Sequence, residues 1–174
     1  MNYIVLTCGT ILLVLFSWHF SIKEKRYHGI SRFFSFESIF ILFLFNWRVW
    51  FIDPLSWHQV ISWLLLIICI YPLIAGFILL KRKGRSEKSL ENTTVLVKSG
   101  IYHYIRHPLY CSLLLLGTGI MFKDLGLFQV IAGTINIIAV FTTAKIEEKE
   151  MKVRFGYQYI DYMKETKMFI PFIV

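Results

Sequence analysis

The chain has 174 residues, of which 56% are hydrophobic and 17% charged, and its net charge is +8. A soluble domain carries about 25% charged residues, so the apolar excess excludes an ordinary water-facing surface, and the length allows one domain. The charges are also clustered, with no Lys, Arg, Asp or Glu in residues 3–22 or 59–80, which excludes a soluble basic nucleic-acid binder.

In chain order, residues 3–22 predict the first membrane span. About 20 residues at about 1.5 Å rise each match the hydrocarbon thickness of a bilayer. No basic residue precedes this run and no small-x-small cleavage site follows it. Lys23-Glu24-Lys25-Arg26 reads instead as a stop-transfer flank, so the segment is expected to be a retained anchor. The second span is predicted at 33–51, with Glu37 and Arg48 each one turn from an end and able to snorkel. Trp47, Trp50, Trp57 and Trp63 gather around the loop that follows, as an aromatic belt does.

The third span is predicted at 59–80, followed by a polar, linker-like stretch at 84–99. The fourth and fifth are predicted at 108–122 and 125–144, joined through Lys123-Asp124-Leu125-Gly126. Pro108 suits the first position of a helix, where its missing N–H costs nothing. Gly117-Thr118-Gly119 reads as a helix-packing notch. Cys8, Cys69 and Cys111 lie in apolar segments without C-x-x-C spacing, so they read as small buried hydrophobes, with no metal site. The expected fold is all-α: a polytopic membrane protein of five transmembrane helices plus a cytoplasmic C-terminal helical tail. It forms one membrane domain, 1–174, with three spans in 1–80 and two spans and the tail in 95–174.

Lys and Arg are frequent in the first loop (Lys23, Lys25, Arg26, Arg32), absent from the second and frequent again in the third (Lys81, Arg82, Lys83, Arg85, Lys88, Lys98, Arg106). The fourth loop has only Lys123, and the tail is rich again. This alternation places the N-terminus outside and the C-terminus in the cytoplasm, and the positive charge serves topology and anionic lipid. The Asn92-Thr93-Thr94 triplet then faces the cytoplasm, where it is not glycosylated. The tail aromatics Phe155, Tyr157, Tyr159, Tyr162 and Phe169 read either as a roof over an interfacial pocket or as bilayer anchors, with anchoring favoured.

Two antiparallel spans joined by a short turn have their open ends side by side. Tyr102, Arg106, His107 and Tyr110 should therefore neighbour Glu147, Glu148 and Glu150, forming an interfacial pocket suited to chemistry. Singly, each residue has a structural reading: a snorkelling Arg106, a His107 bonded to backbone, a solvated Glu147-Glu148-Lys149-Glu150 face. Their co-location favours function.

Gly100-Ile101-Tyr102 followed by Arg106-His107-Pro108-Leu109-Tyr110 resembles the GxYxxxRHPxY signature of the isoprenylcysteine carboxyl methyltransferases and related phospholipid methyltransferases. The likeness continues through Gly117-Thr118-Gly119, Glu147-Glu148, Phe155-Gly156-Tyr157-Gln158-Tyr159-Ile160-Asp161-Tyr162 and Ile170-Pro171, so residues 95–174 form the family-like catalytic part. Ser112 departs from the pattern, standing where the family often has Gly. The resemblance implies S-adenosylmethionine as methyl donor and a lipophilic or lipidated acceptor, with membrane lipids around the protein and no obligate protein partner. It implies a cofactor pocket of Val97, Gly100, Ile101, Tyr102, Arg106, His107, Pro108, Tyr110, Gly117, Gly119, Glu147 and Glu148. Arg106, Glu147 and Glu148 are its catalytic candidates, with Arg106 placed to meet the donor's carboxylate and the carboxylates its cations. Two other classes stand beside this reading: an NADPH-dependent reductase related to the membrane sterol reductases, and a non-catalytic membrane scaffold.

Overall fold

The computed structural model describes residues 3–19, 28–84 and 94–173. Residues 20–22 of the first expected span, the loop charges Lys23, Lys25, Arg26, Arg85 and Lys88, and Asn92 and Thr93 of the glycosylation triplet lie outside the described residues. So does the 85–93 part of the expected linker.

The described chain is helical: α1 (Tyr3–Ser17), α2 (His28–Asn46), α3 (Trp57–Ile68), α4 (Ile70–Lys83), α5 (Pro108–Met121), α6 (Leu127–Phe155) and α7 (Tyr157–Glu165), with a 3-10 turn at Gly100–His103. Among the described residues three helical stretches are long and apolar enough to cross a bilayer: His28–Asn46, Trp57–Lys83 and Leu127–Phe155. Tyr3–Ser17 and Pro108–Met121 are apolar but shorter. The chain is an integral membrane protein on this evidence.

Three boundaries differ from the expected spans. The second helix starts at His28 and ends at Asn46, so Arg48 lies beyond it. The Asn46 amide donates to the Ile120 carbonyl at 2.7 Å and its oxygen accepts from Gln129 at 3.1 Å, a side-chain anchor that hydropathy does not register. The third stretch breaks at Cys69 because Pro72, lacking an N–H, leaves the Ile68 carbonyl without its helical donor and crowds it. The last long helix continues to Phe155, eleven residues past the expected end at 144, and carries Glu147 and Glu148 within it.

The chain divides into two compact units interleaved in sequence. The first comprises Met1–Ile68 and Leu113–Thr143. Its interior is marked by small polar side chains at helix contacts, as suits helices whose outer faces meet lipid. Asn136 donates to the Ser35 carbonyl and hydroxyl at 3.2 and 3.0 Å, Thr143 donates to Ser31 at 2.9 Å, and Ser62 donates to the Gly119 carbonyl at 2.6 Å. Glu37 accepts from Thr10 at 2.7 Å, so it joins α1 to α2 instead of snorkelling. An apolar cavity of about 600 Å³ is lined by Leu12, Phe36, Phe40, Phe43, Leu116 and Ile120 among others.

Lys123, expected to be a loop charge, is 1% exposed. Its ammonium lies 3.3 Å from the Trp63 ring centre and 5.2 Å from that of Trp50, and it donates to Gln59 Oε1 at 3.0 Å. Two of the four tryptophans assigned to an aromatic belt therefore cage a cation. Trp47 and Trp57 are exposed, as a belt requires.

The second unit comprises Cys69–Ser112 and Ala144–Val174. One apolar cluster packs Val97, Ile101, Tyr102 and Ile105 against Ala75, Leu79, Leu80 and Cys111. Another joins Met151, Tyr159 and Tyr162 to Leu96, Phe155 and Met163. Gly156, at φ +55°, allows the chain to leave α6 and begin α7 at the next residue, a backbone state that a side chain would strain.

Candidate active site

The second unit holds the arginine and histidine of the motif and one of the paired glutamates in contact. Pro108 opens α5, and the His107 carbonyl accepts the first helical bond from Cys111 at 2.9 Å. The residue before a proline is disfavoured from the helical region, so the helix starts no earlier than Pro108, and Ile105 just upstream forms an isolated parallel bridge with Lys167. The backbone of this segment pairs with the tail: Arg106 N–H donates to the Lys167 carbonyl at 2.8 Å, His107 N–H to Met168 at 3.1 Å, and Lys167 N–H to Tyr104 at 3.1 Å.

The Arg106 side chain reaches α6. Its Nε and Nη2 donate to Glu148 Oε1 at 3.0 and 2.8 Å, and the two side chains are only 8% and 4% exposed. Nη1 meets the carbonyls of Thr166 and, at 3.3 Å, Met163. All three guanidinium nitrogens thus hold protein acceptors, tying the motif loop, α6 and the tail together. The residue that the resemblance assigned to the donor's carboxylate is a tie among three segments.

His107 is the complementary case. Its ring is buried, Nε2 lies 3.7 Å from Glu148 Oε1, and that nitrogen has no hydrogen-bond partner. Buried polar atoms are seldom left so, and each is a candidate for a ligand contact. Tyr110 stacks on the imidazole with ring centres 5.5 Å apart.

Lys145 is the first charged residue of α6, so Glu147 and Glu148 lie beyond its apolar, membrane-spanning stretch. Burial pushes the Glu148 carboxyl upward, but the His107 and Arg106 side chains beside it more than reverse this and hold it at about 2. Glu147 is half-buried. Burial first, and then the Glu147 charge, push the hydroxyls of Tyr102 and Tyr159 well above the ordinary tyrosine range, so both remain protonated donors.

Other residues of the expected pocket are placed differently. Val97, Ile101 and Tyr102 form the apolar cluster, and the Tyr102 carbonyl accepts from the Tyr162 hydroxyl at 2.5 Å. Gly100, at φ +62°, has the Leu79 side chain where a Cβ would stand, 2.6 Å away. Gly117 and Gly119 belong to the first unit. A Cβ on Gly117 would stand 2.4 Å from Asn136 Oδ1, and one on Gly119 would stand 3.0 Å from Leu66. Both act as packing notches, and Ser112 is buried with its hydroxyl on the Leu109 carbonyl at 2.6 Å.

The tail corrects another expectation. Tyr159, Tyr162 and Phe169 are 2–3% exposed and pack within the unit, while Tyr157 is 85% exposed. Tyr159 and Tyr162 are three residues apart on one face of α7, and Tyr157 is off that face, so helical spacing was the signal for separating them. Thr166, Met163 and Met168, whose backbone atoms close the site, carried no motif.

Residues 63–153 match the isoprenylcysteine carboxyl methyltransferase (ICMT) family, a stretch that includes Arg106, His107, Glu147 and Glu148. The chain belongs to this family. Among curated relatives, the protein-S-isoprenylcysteine O-methyltransferases of Mus musculus and Rattus norvegicus are each 36% identical to it over 95 residues. The aligned stretch covers 51% of this chain and 31% of each relative, so less than a third of those longer ICMT-family proteins is represented. No solved structure matches. The family match includes the Arg106–Glu148 pair and the whole cluster around Val97, Ile101, Tyr102 and Ile105, but stops short of α7 and the tail segment paired with the motif.

Proposed function

We propose that the second unit binds S-adenosylmethionine and that the protein transfers its methyl group to a lipophilic acceptor, best represented by a prenylcysteine carboxylate. One observation supports this reading most: the buried Nε2 of His107, without a hydrogen bond and 3.7 Å from the Glu148 carboxylate that Arg106 holds, within the stretch that matches the family. The names of the two relatives favour this acceptor class. The cavity of about 600 Å³ in the first unit, lined by apolar side chains, is suited to hydrocarbon.

The residues fit the cofactor. His107 Nε2 needs a polar partner, Tyr110 offers an aromatic face to a cation, and the half-buried Glu147 offers a carboxylate to an ammonium. Bound there, S-adenosylmethionine supplies an electrophilic methyl for in-line displacement. Arg106 acts as a positioning residue by fixing Glu148 and the tail. A carboxylate acceptor is ionised at neutral pH and needs no base, so alignment and exclusion of water are the chain's main tasks. An amine or hydroxyl acceptor would require a base, for which Glu147 is the candidate. We place this site on the cytoplasmic face, with all five apolar segments crossing the bilayer and the N-terminus outside.

Titration of the purified chain in detergent with S-adenosylhomocysteine and, separately, NADPH tests the cofactor. Micromolar binding of the first alone is expected. Binding of NADPH alone supports a reductase, and binding of neither supports a scaffold. Transfer of labelled methyl from S-adenosylmethionine to a prenylcysteine analogue, in preference to a phospholipid amine, tests the acceptor.

A further inference from the structure

We infer that the end of α4 carries a binding groove for an anionic phospholipid of the surrounding bilayer. A groove of about 490 Å³ is lined by Phe77, Ile78, Lys81 and Arg82, within the size range of small-molecule sites. The helical spacing explains its chemistry. Lys81 stands one turn beyond Phe77, and Arg82 one turn beyond Ile78, so two apolar positions are each topped by a cation. The apolar tracks continue another turn back through Leu73 and Ile74, both about half exposed. This is the arrangement of a lipid: chains along Leu73–Phe77 and Ile74–Ile78, phosphate at the two cations.

Lys83 differs from its neighbours, because its ammonium donates to the Ser99 hydroxyl at 2.8 Å. Lys81 and Arg82 are exposed and pair with no carboxylate among the described residues. The carbonyl end of a helix disfavours an anion, but its effective charge is about half a unit, against two full positive charges here. The guanidinium of Arg82 is also suited to two phosphate oxygens at once. The occupant is a bilayer lipid rather than free phosphate because the cations terminate a stretch, Trp57–Lys83, long and apolar enough to span the membrane.

The test is retention of lipid by the full chain released from mixed phosphatidylglycerol and phosphatidylcholine nanodiscs, read by native mass spectrometry. Selective retention of phosphatidylglycerol is expected. Its apparent affinity should fall about fivefold for Lys81→Gln or Arg82→Gln and about 25-fold for both. The swap Lys81→Arg with Arg82→Lys should keep the selectivity, and Lys145→Gln with Lys149→Gln should leave it unchanged. Equal retention of the two lipids, an unchanged double variant, or equal loss in the Lys145 and Lys149 control overturns the groove. Displacement of the lipid by millimolar inorganic phosphate shows a site for the free ion and overturns it too. Thermal unfolding of the charge-swapped chain confirms that the fold is kept.

Discussion

Each unit buries a cation, and the two solve that problem with different chemistry. In the first, Lys123 is held by the faces of Trp63 and Trp50 and by one amide oxygen of Gln59. In the second, Arg106 is held by the Glu148 carboxylate and by backbone carbonyls of Met163 and Thr166. The aromatic cage satisfies a compact ammonium without introducing a second charge. The carboxylate partner introduces one, and the guanidinium fork lets it join three chain segments. It also leaves a buried imidazole nitrogen nearby without a hydrogen bond, so the first arrangement is a closed plug and the second a tie with one polar atom still open to a bond.

The largest expected effect breaks the second arrangement. Arg106→Ala or Glu148→Ala leaves a buried charge uncompensated and should destabilise the protein by about 3–5 kcal/mol, measured by thermal or denaturant unfolding in detergent. Arg106→Met combined with Glu148→Leu should recover much of that stability while S-adenosylhomocysteine binding stays lost. If the double variant still binds normally, the pair has no part in the site. Next, Lys123→Met, which keeps the apolar stem and removes the charge, should cost about 2 kcal/mol in the same assay and leave cofactor affinity unchanged. Loss of affinity there would end the distinction between plug and tie.

Acidification separates the two cations without mutation. Glu148 is held at about 2 against an ordinary value of 4.5, so its contribution is complete above about pH 4.5 and is lost as pH falls through about 2. Unfolding temperature should decline across that interval, and Glu148→Gln should flatten this part of the profile. The Lys123 cage contains no carboxylate, so Lys123→Met should not alter its shape. The smallest effect is expected for Tyr157→Ser, within about 0.5 kcal/mol, because that ring is exposed. A large loss on that substitution would mean that the outer face of α7 is covered in the folded protein.

The membrane character, the helical class and the family were legible in the residues themselves. Charge-free runs report their solvent directly, since ionised groups are excluded from hydrocarbon. The adjacency of Arg106 to Glu148 was also legible, because two antiparallel segments joined by a short turn must bring their far ends together. Boundaries were less so: α2 ends at Asn46 through side-chain bonds to Ile120 and Gln129, partners 74 and 83 residues away.

By itself, then, the sequence determined which segments avoid water and which residues carry the family's motif, because composition and spacing along a chain decide both. Only the tertiary structure decided which charges are plugs, which are ties and which polar atoms remain open. Lys123 looks like a loop charge and Arg106 like a ligand arm until their partners from distant segments are in place. Those partners follow from how neighbouring helices are rotated against one another, a quantity that no single segment encodes.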